Sequence, residues 1–307
     1  MDRTVIRCPC SAEEPSPRRA CSLARLRTIA SRRGLRAKDE LPSRPRTILE
    51  VIDKGRISES HPVPLLFVHG AWHAAWCWDE HFLSYFADKG YRALALSLRG
   101  HGSSATSKRL RDCSFADYLQ DVTLVADSMP TPPVMIGHSM GGFLVQKYLE
   151  SRIAPAGVLM ASMPPQGYLA SGLRWIRRHP WHFAKMTITG KSLPYVSTPR
   201  LARERFFSTH TPESLVLNYA ARLEEESARS GLDGLLNLPR PKHVTTRLLV
   251  LGALDDGAVT RKEVLATARA YRTEAKFFPK MGHDMMLEPG WASVAERIHD
   301  WLGTLDL

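Results

Sequence analysis

A chain of 307 residues with 44% hydrophobic and 24% charged residues has the balance of an ordinary globular protein, with enough apolar side chains for a sizeable core. The formal net charge is +11, but residues 1–46 hold eleven Arg and one Lys against five acids, so +7 of it sits in a sixth of the chain. The remainder has no Lys/Arg stripe with interleaved aromatics, which argues against a nucleic-acid partner.

Three of the five Cys lie in the first 21 residues (Cys8, Cys10, Cys21), and Cys77 and Cys113 stand far apart. That is neither a disulfide framework nor zinc-ligand spacing, and it fits reduced thiols in a cytoplasmic protein. No apolar run approaches the roughly 20 residues of a membrane span. Arginines interrupt each short apolar stretch near the start, against a signal peptide.

Residues 1–45 are rich in Arg, Ser and Pro and poor in aromatics, a composition that buries too little apolar surface to offset chain entropy. They are expected to be a disordered basic tail. A transit peptide would suit the Arg and Ser but not Glu13, Glu14, Asp39 and Glu40, and a misassigned start is a third reading. From Thr47 short apolar runs alternate with amphipathic segments, the signature of βαβ units. Strands are predicted at about 47–52, 65–68, 93–98, 134–136, 157–161, 248–251 and 275–278, with helices at 78–89, 115–128, 140–151, 261–271 and 291–304. The rhythm breaks over 163–241, where helical segments rich in Arg, Trp and Leu replace strands. The reading is an α/β core over 46–162 and 242–307, with a mainly parallel sheet flanked by helices and an inserted helical cap over 163–241. Trp175, Trp181, Phe183, Phe206, Phe207 and Tyr219 of that insertion either fill a core or line a substrate pocket.

The run from Val134 to Gly142, V-M-I-G-H-S-M-G-G, enters G-x-S-x-G from a strand and leaves it into a helix. So tight a turn strains the backbone at Ser139 and leaves no room for side chains at 137 and 141, and it lifts the hydroxyl above the sheet. The helix that follows points its amide dipoles at the same spot. A serine hydroxyl is a weak nucleophile at neutral pH and needs a base held in one tautomer by an acid. Beyond such an elbow the acid precedes the His in chain order. G-A-L-D-D-G-A-V follows the strand ending near Leu251, and P-K-M-G-H-D-M-M-L follows the strand ending near Phe278, so both lie at carboxyl ends of strands. His283 is the expected base. Spacing back from Val259 and Thr260 selects Asp256 as the acid, and spacing on from Gly252 selects Asp255. Two backbone N–H donors are needed for a developing oxyanion, and Met140 and Ala71 are the expected pair, the latter in the loop H-G-A-W-H-A-A-W-C-W. His138 is expected to pack under the turn, His101 to be structural, and Asp284 to be a solvated loop carboxylate. His69, His73, His179 and His182 offer no trusted metal-ligand spacing.

H-G-A-W, L-S-L-R-G-H-G-S-S (96–104), G-H-S-M-G-G, and the Asp and G-H-D motifs occur in that order. With them the chain from about Thr47 to Leu307 resembles the α/β-hydrolases, and among these the small bacterial esterases and plant methylesterase-type enzymes. The resemblance implies cleavage of a small-molecule carboxylic ester with no cofactor and no metal. Ala74 departs from it, since plant-type relatives often have Gly there. A hydroxynitrile lyase on the same fold would tend to carry Thr in place of Gly70 and Lys in place of Asp284. A ligand receptor that keeps the triad without turnover is a further alternative.

Overall fold

The computed structural model describes residues 3–7 and 48–307. Eight strands form one sheet: β1 (Arg3–Arg7), β2 (Ile48–Lys54), β3 (Leu65–Val68), β4 (Ala93–Leu96), β5 (Val134–His138), β6 (Gly157–Met160), β7 (Leu248–Ala253) and β8 (Ala275–Phe278). Their spatial order is β1-β2-β4-β3-β5-β6-β7-β8. β1 and β2 pair antiparallel, as do β2 and β4, and β4, β3, β5, β6, β7 and β8 are mutually parallel.

The expectation of a structureless tail does not hold at its start, where Arg3 pairs with Ile52 and Arg7 with Ile48. R-T-V-I-R is too short to signal a strand by pattern alone. The edge of β2 supplies the ladder partners that order it. The rest of the tail read as disordered, with Cys8, Cys10 and Cys21, lies outside the described residues.

Six helices flank the sheet: α1 (Trp76–Asp79), α2 (Phe82–Asp88), α3 (Phe115–Asp127) and α4 (Met140–Tyr148), with α10 (Arg261–Ala270) and α11 (Trp291–Gly303) closing the chain. Five more run between β6 and β7: α5 (Leu169–Arg178), α6 (Pro180–Thr189), α7 (Pro199–Phe206), α8 (Glu213–Ala220) and α9 (Ala228–Leu236). The parallel strands read as continuous apolar runs because both of their faces are covered. Leu65, Phe67, Val134, Ile136 and Val158 face a core shared with Trp78, Phe82 and Ile298. Leu66, Val68, Met135 and Leu159 face another, shared with Tyr118, Phe143 and Val264. Each such fully buried side chain contributes about 1.5–3 kcal/mol. Trp175, Phe206, Phe207 and Tyr219, from the five-helix segment, extend the first core. Trp181, by contrast, is 84% exposed.

This order fixes where a ligand can sit. β4 lies on one side of β3 and β5 on the other, so the connections leaving β3 and β5 diverge and open a crevice at their carboxyl ends. The loop at 69–75 and the turn at Ser139 border it.

Candidate active site

Ser139 stands between β5 and α4 with φ 53° and ψ −117°, a conformation that side chains rarely adopt. Hydrogen bonds hold it there: its N–H donates to the Met160 carbonyl at 3.1 Å, and its own carbonyl accepts from Phe143 at 3.2 Å and Met163 at 3.1 Å. A Cβ at Gly141 would lie 2.2 Å from the Val68 carbonyl oxygen, so only glycine lets α4 start so close to β3. One at Gly70 would lie 2.9 Å from the Ser139 Cβ, which measures how closely the loop after β3 passes the serine.

His283 Nδ1 lies 2.9 Å from Asp256 Oδ2. Both side chains are 1% exposed. The second oxygen of Asp256 accepts from the Ala258 and Val259 N–H groups, each at 2.7 Å, which locks the carboxylate. Asp255 is exposed, and its N–H donates to the Met281 carbonyl at 3.0 Å. Of the two adjacent acids, only Asp256 meets His283. With an acceptor at Nδ1, the proton belongs on that nitrogen and Nε2 is left as a base.

Two buried histidines shape the loop after β3. His69 Nε2 accepts from the Leu98 N–H at 3.0 Å, so its Nδ1 carries the proton and donates to the Gly70 carbonyl at 2.8 Å. Burial first, then the neighbouring His101, hold its pKa well below the ordinary value, so it is neutral. Because carbonyl and N–H point opposite ways across a trans peptide, this bond aims the Ala71 N–H away from His69. Among the described residues neither the Ala71 nor the Met140 N–H has an acceptor. His73 has acceptors at both nitrogens, the Ala71 carbonyl at 2.8 Å and Asp284 Oδ2 at 3.0 Å. Two acceptors favour the imidazolium: burial lowers its pKa, but the Asp284 carboxylate outweighs that and raises it.

Asp284 is wholly buried, not the solvated loop carboxylate expected from sequence. Its backbone N–H donates to the Phe206 carbonyl at 2.9 Å, and the Phe206 ring lies over His283 at 6.2 Å. His138 packs beneath the turn as expected, with its Nε2 donating to the His283 carbonyl at 3.0 Å. Burial and the nearby His283 push its pKa down to about 3. His138, His283 and Asp284 can bring ligand atoms within 4.8 Å of one another, the one such group among the described residues. Each of the three makes a hydrogen bond, His283 Nδ1 with Asp256, Asp284 Oδ2 with His73 and His138 Nε2 with the His283 carbonyl. His101 is buried, 3.4 Å from Glu226 of the segment between α8 and α9. Glu288, which no local pattern singled out, accepts from the Ser208 N–H at 2.5 Å, the Gly282 N–H at 2.9 Å and the Thr211 hydroxyl at 2.7 Å. It ties the end of α7 to the His283 loop.

The family model described as "Alpha/beta hydrolase family" matches residues 65–296, most of the chain, including Ser139, Asp256 and His283. The chain belongs to the alpha/beta hydrolase family. Over 108 residues it is 36% identical to a non-heme chloroperoxidase of Burkholderia pyrrocinia, covering 33% of this chain and 38% of that protein. Over 96 residues it is 33% identical to protein phosphatase methylesterase 1 of Bos taurus, covering 30% of this chain and 25% of that protein. The matched stretches thus span well under half of these relatives. A solved structure of a thermophilic esterase from Thermogutta terrifontis superposes with a TM-score of 0.65 at 18% identity, covering 86% of this chain and 96% of that one, a likeness of fold. Among the described residues this hydrolase-family chain has no helix long and apolar enough to cross a membrane.

Proposed function

We propose that the chain hydrolyses a small carboxylic ester through Ser139, His283 and Asp256. The observation that carries the reading is the 2.9 Å contact of His283 Nδ1 with Asp256, at the carboxyl ends of β8 and β7, in a chain whose β5 ends in a strained serine. His283 Nε2 takes the hydroxyl proton as Ser139 Oγ attacks the ester carbonyl. The oxyanion is met by the Ala71 N–H from the loop after β3 and the Met140 N–H at the start of α4, where the helix dipole also favours negative charge. Collapse expels the alcohol, which takes the proton from His283. Water, deprotonated by the same nitrogen, then attacks the acyl-serine and releases the acid. His69 is a positioning residue, since it holds the peptide that presents the Ala71 N–H. The five-helix segment, read here as a lid over 163–241, covers this chemistry. Esterase names among the relatives agree with the reading. The name of the Burkholderia relative supports a second one, peroxide-dependent halogenation, tested with hydrogen peroxide, bromide and a halogenatable dye.

The primary test is turnover of 4-nitrophenyl acetate and butyrate beside labelling by a fluorophosphonate. Wild type should do both and Ser139→Ala neither. Retention of more than a tenth of the rate in Ser139→Ala would overturn the assignment, and rapid labelling with no turnover of any ester would leave a receptor instead.

A further inference from the structure

Among the described residues, one buried cation touches no counter-ion, and the Asp256 and Asp284 carboxylates act on it only through space. Arg205, in α7, is 8% exposed, yet its guanidinium makes no hydrogen bond or ion pair with any described residue, and its Nε is a buried orphan. Aromatic faces hold it on two sides: its Cζ lies 5.3 Å from the Trp72 ring, one residue past Ala71, and 4.8 Å from the Trp175 ring of α5. Stacking of this kind orients a guanidinium but leaves its in-plane N–H donors unused.

The orphan is not alone. Trp175, 5% exposed, has an unpartnered buried Nε1–H, and Tyr195, 7% exposed, has an unpartnered buried hydroxyl. Their rings lie 6.0 Å apart. Orphaned buried polar atoms are few in native proteins, because each costs about 1–3 kcal/mol when left unpaired. Three in one cluster, all donors, call for an acceptor. Arg205 is also next to Phe206, whose ring lies over His283 and whose carbonyl holds Asp284, so the cluster sits beside the proposed catalytic groups. Burial lowers the guanidinium's pKa to about 10, and it remains charged at neutral pH.

We propose that Arg205, with Trp175 and Tyr195, forms a carboxylate-binding subsite under the lid, so that the substrate is an ester that also carries a carboxylate. A carboxylate can accept two parallel N–H bonds from the guanidinium fork, and it can take the indole N–H or the phenol O–H on its remaining lone pairs. The proposal rests on the Ser139 reading for its chemistry but not for its binding test.

Two ester pairs with a common reacting group settle it. Mono-4-nitrophenyl glutarate against its methyl ester places the carboxylate on the acyl side, and 4-acetoxybenzoate against its methyl ester places it on the alcohol side. In wild type the anionic member of at least one pair should have the higher kcat/KM, by roughly ten- to hundredfold for a charge-assisted pair of bonds. Arg205→Gln should collapse that ratio to near one, with most of the change in KM, and Arg205→Lys should keep part of it. Independently of turnover, monomethyl glutarate or benzoate should bind Ser139→Ala by calorimetry at least tenfold more tightly than Ser139→Ala/Arg205→Gln. A wild-type preference for the neutral member in both pairs, or equal loss on both members in Arg205→Gln, would overturn the subsite. No turnover of any ester with carboxylate binding intact would overturn the hydrolase reading and keep the subsite.

Discussion

His73 and Asp284 form a buried ion pair, Nε2 to Oδ2 at 3.0 Å with side chains 1% and 0% exposed, between residues 211 apart in sequence. Through it the loop carrying Ala71 is tied to the loop carrying His283. Removing one member of such a pair strands the other and typically costs about 3–5 kcal/mol. Asp284→Asn should therefore lower the melting temperature by roughly 6–20 °C, at about 2–4 °C per kcal/mol for a domain of this size. A drop of less than about 2 °C in calorimetry would show that the pair contributes little.

The same pair predicts a pH window. Burial raises the Asp284 carboxyl but the His73 charge outweighs it, and its folded pKa lies below the ordinary 3.8. Its contribution is present above that unfolded value and is lost as pH falls through the folded one. His73 lies above its ordinary 6.5, so its contribution is full below 6.5 and is lost as pH rises through the folded value. The difference in melting temperature between wild type and Asp284→Asn should be largest between roughly pH 4 and 6.5 and should narrow on either side. A difference that widens steadily toward pH 9 would contradict the ion pair.

Asp256→Asn keeps the shape of the acid but supports the wrong His283 tautomer, and by analogy with serine proteases it should cost on the order of 10⁴-fold in kcat. Asp255→Asn, altering an exposed side chain, should retain most activity. Steady-state kinetics of the two proteins at pH 7 compare them directly, and equal activities would mean that neither acid orients the base.

At Ser139 the positive φ makes an unusual ordering of variants. Ser139→Gly relieves backbone strain of about 1–3 kcal/mol, which offsets the roughly 0.5–1 kcal/mol of extra chain entropy that glycine brings. Ser139→Gly should thus melt no lower than Ser139→Ala, with both inactive. A glycine variant melting several degrees below the alanine one would mean that the turn is not strained.

Glu288 Oε1 accepts from two backbone N–H groups on different loops while Oε2 accepts from the Ser208 and Thr211 hydroxyls, and Glu288→Gln would remove the charge and turn an amide N–H₂ toward one of these two sets of donors. We expect about 2–3 kcal/mol of lost stability, as for a charged acceptor removed from buried donors, and a lower kcat because Gly282 precedes His283. Thermal melts with kinetics on the same preparation check both, and unchanged values for each would show that the tie is dispensable.

What the sequence by itself determined is what short-range sterics dictate. A strand, a G-x-S-x-G turn and a helix must follow one another wherever the backbone is forced into so tight a reversal, and Ser139 could be singled out for that reason. The proposed acid and base were legible because each follows an apolar run by a few residues, and the mainly parallel sheet because unbroken apolar runs separate amphipathic ones. Only the tertiary structure shows that Asp256 and not Asp255 meets His283, since adjacent residues on one loop have the same neighbours in sequence and differ only in what they face. Asp284 read as solvated because its partner, His73, arrives from 211 residues away. Arg205 is one of three arginines in P-R-L-A-R-E-R-F, with no local mark of its burial, which Trp72 and Trp175 impose from separate elements. The strand at Arg3–Arg7 exists through its pairing with β2, a ladder that no property of R-T-V-I-R announces. Contacts of this kind depend on how distant segments close on one another, and the local pattern carries no record of that closure.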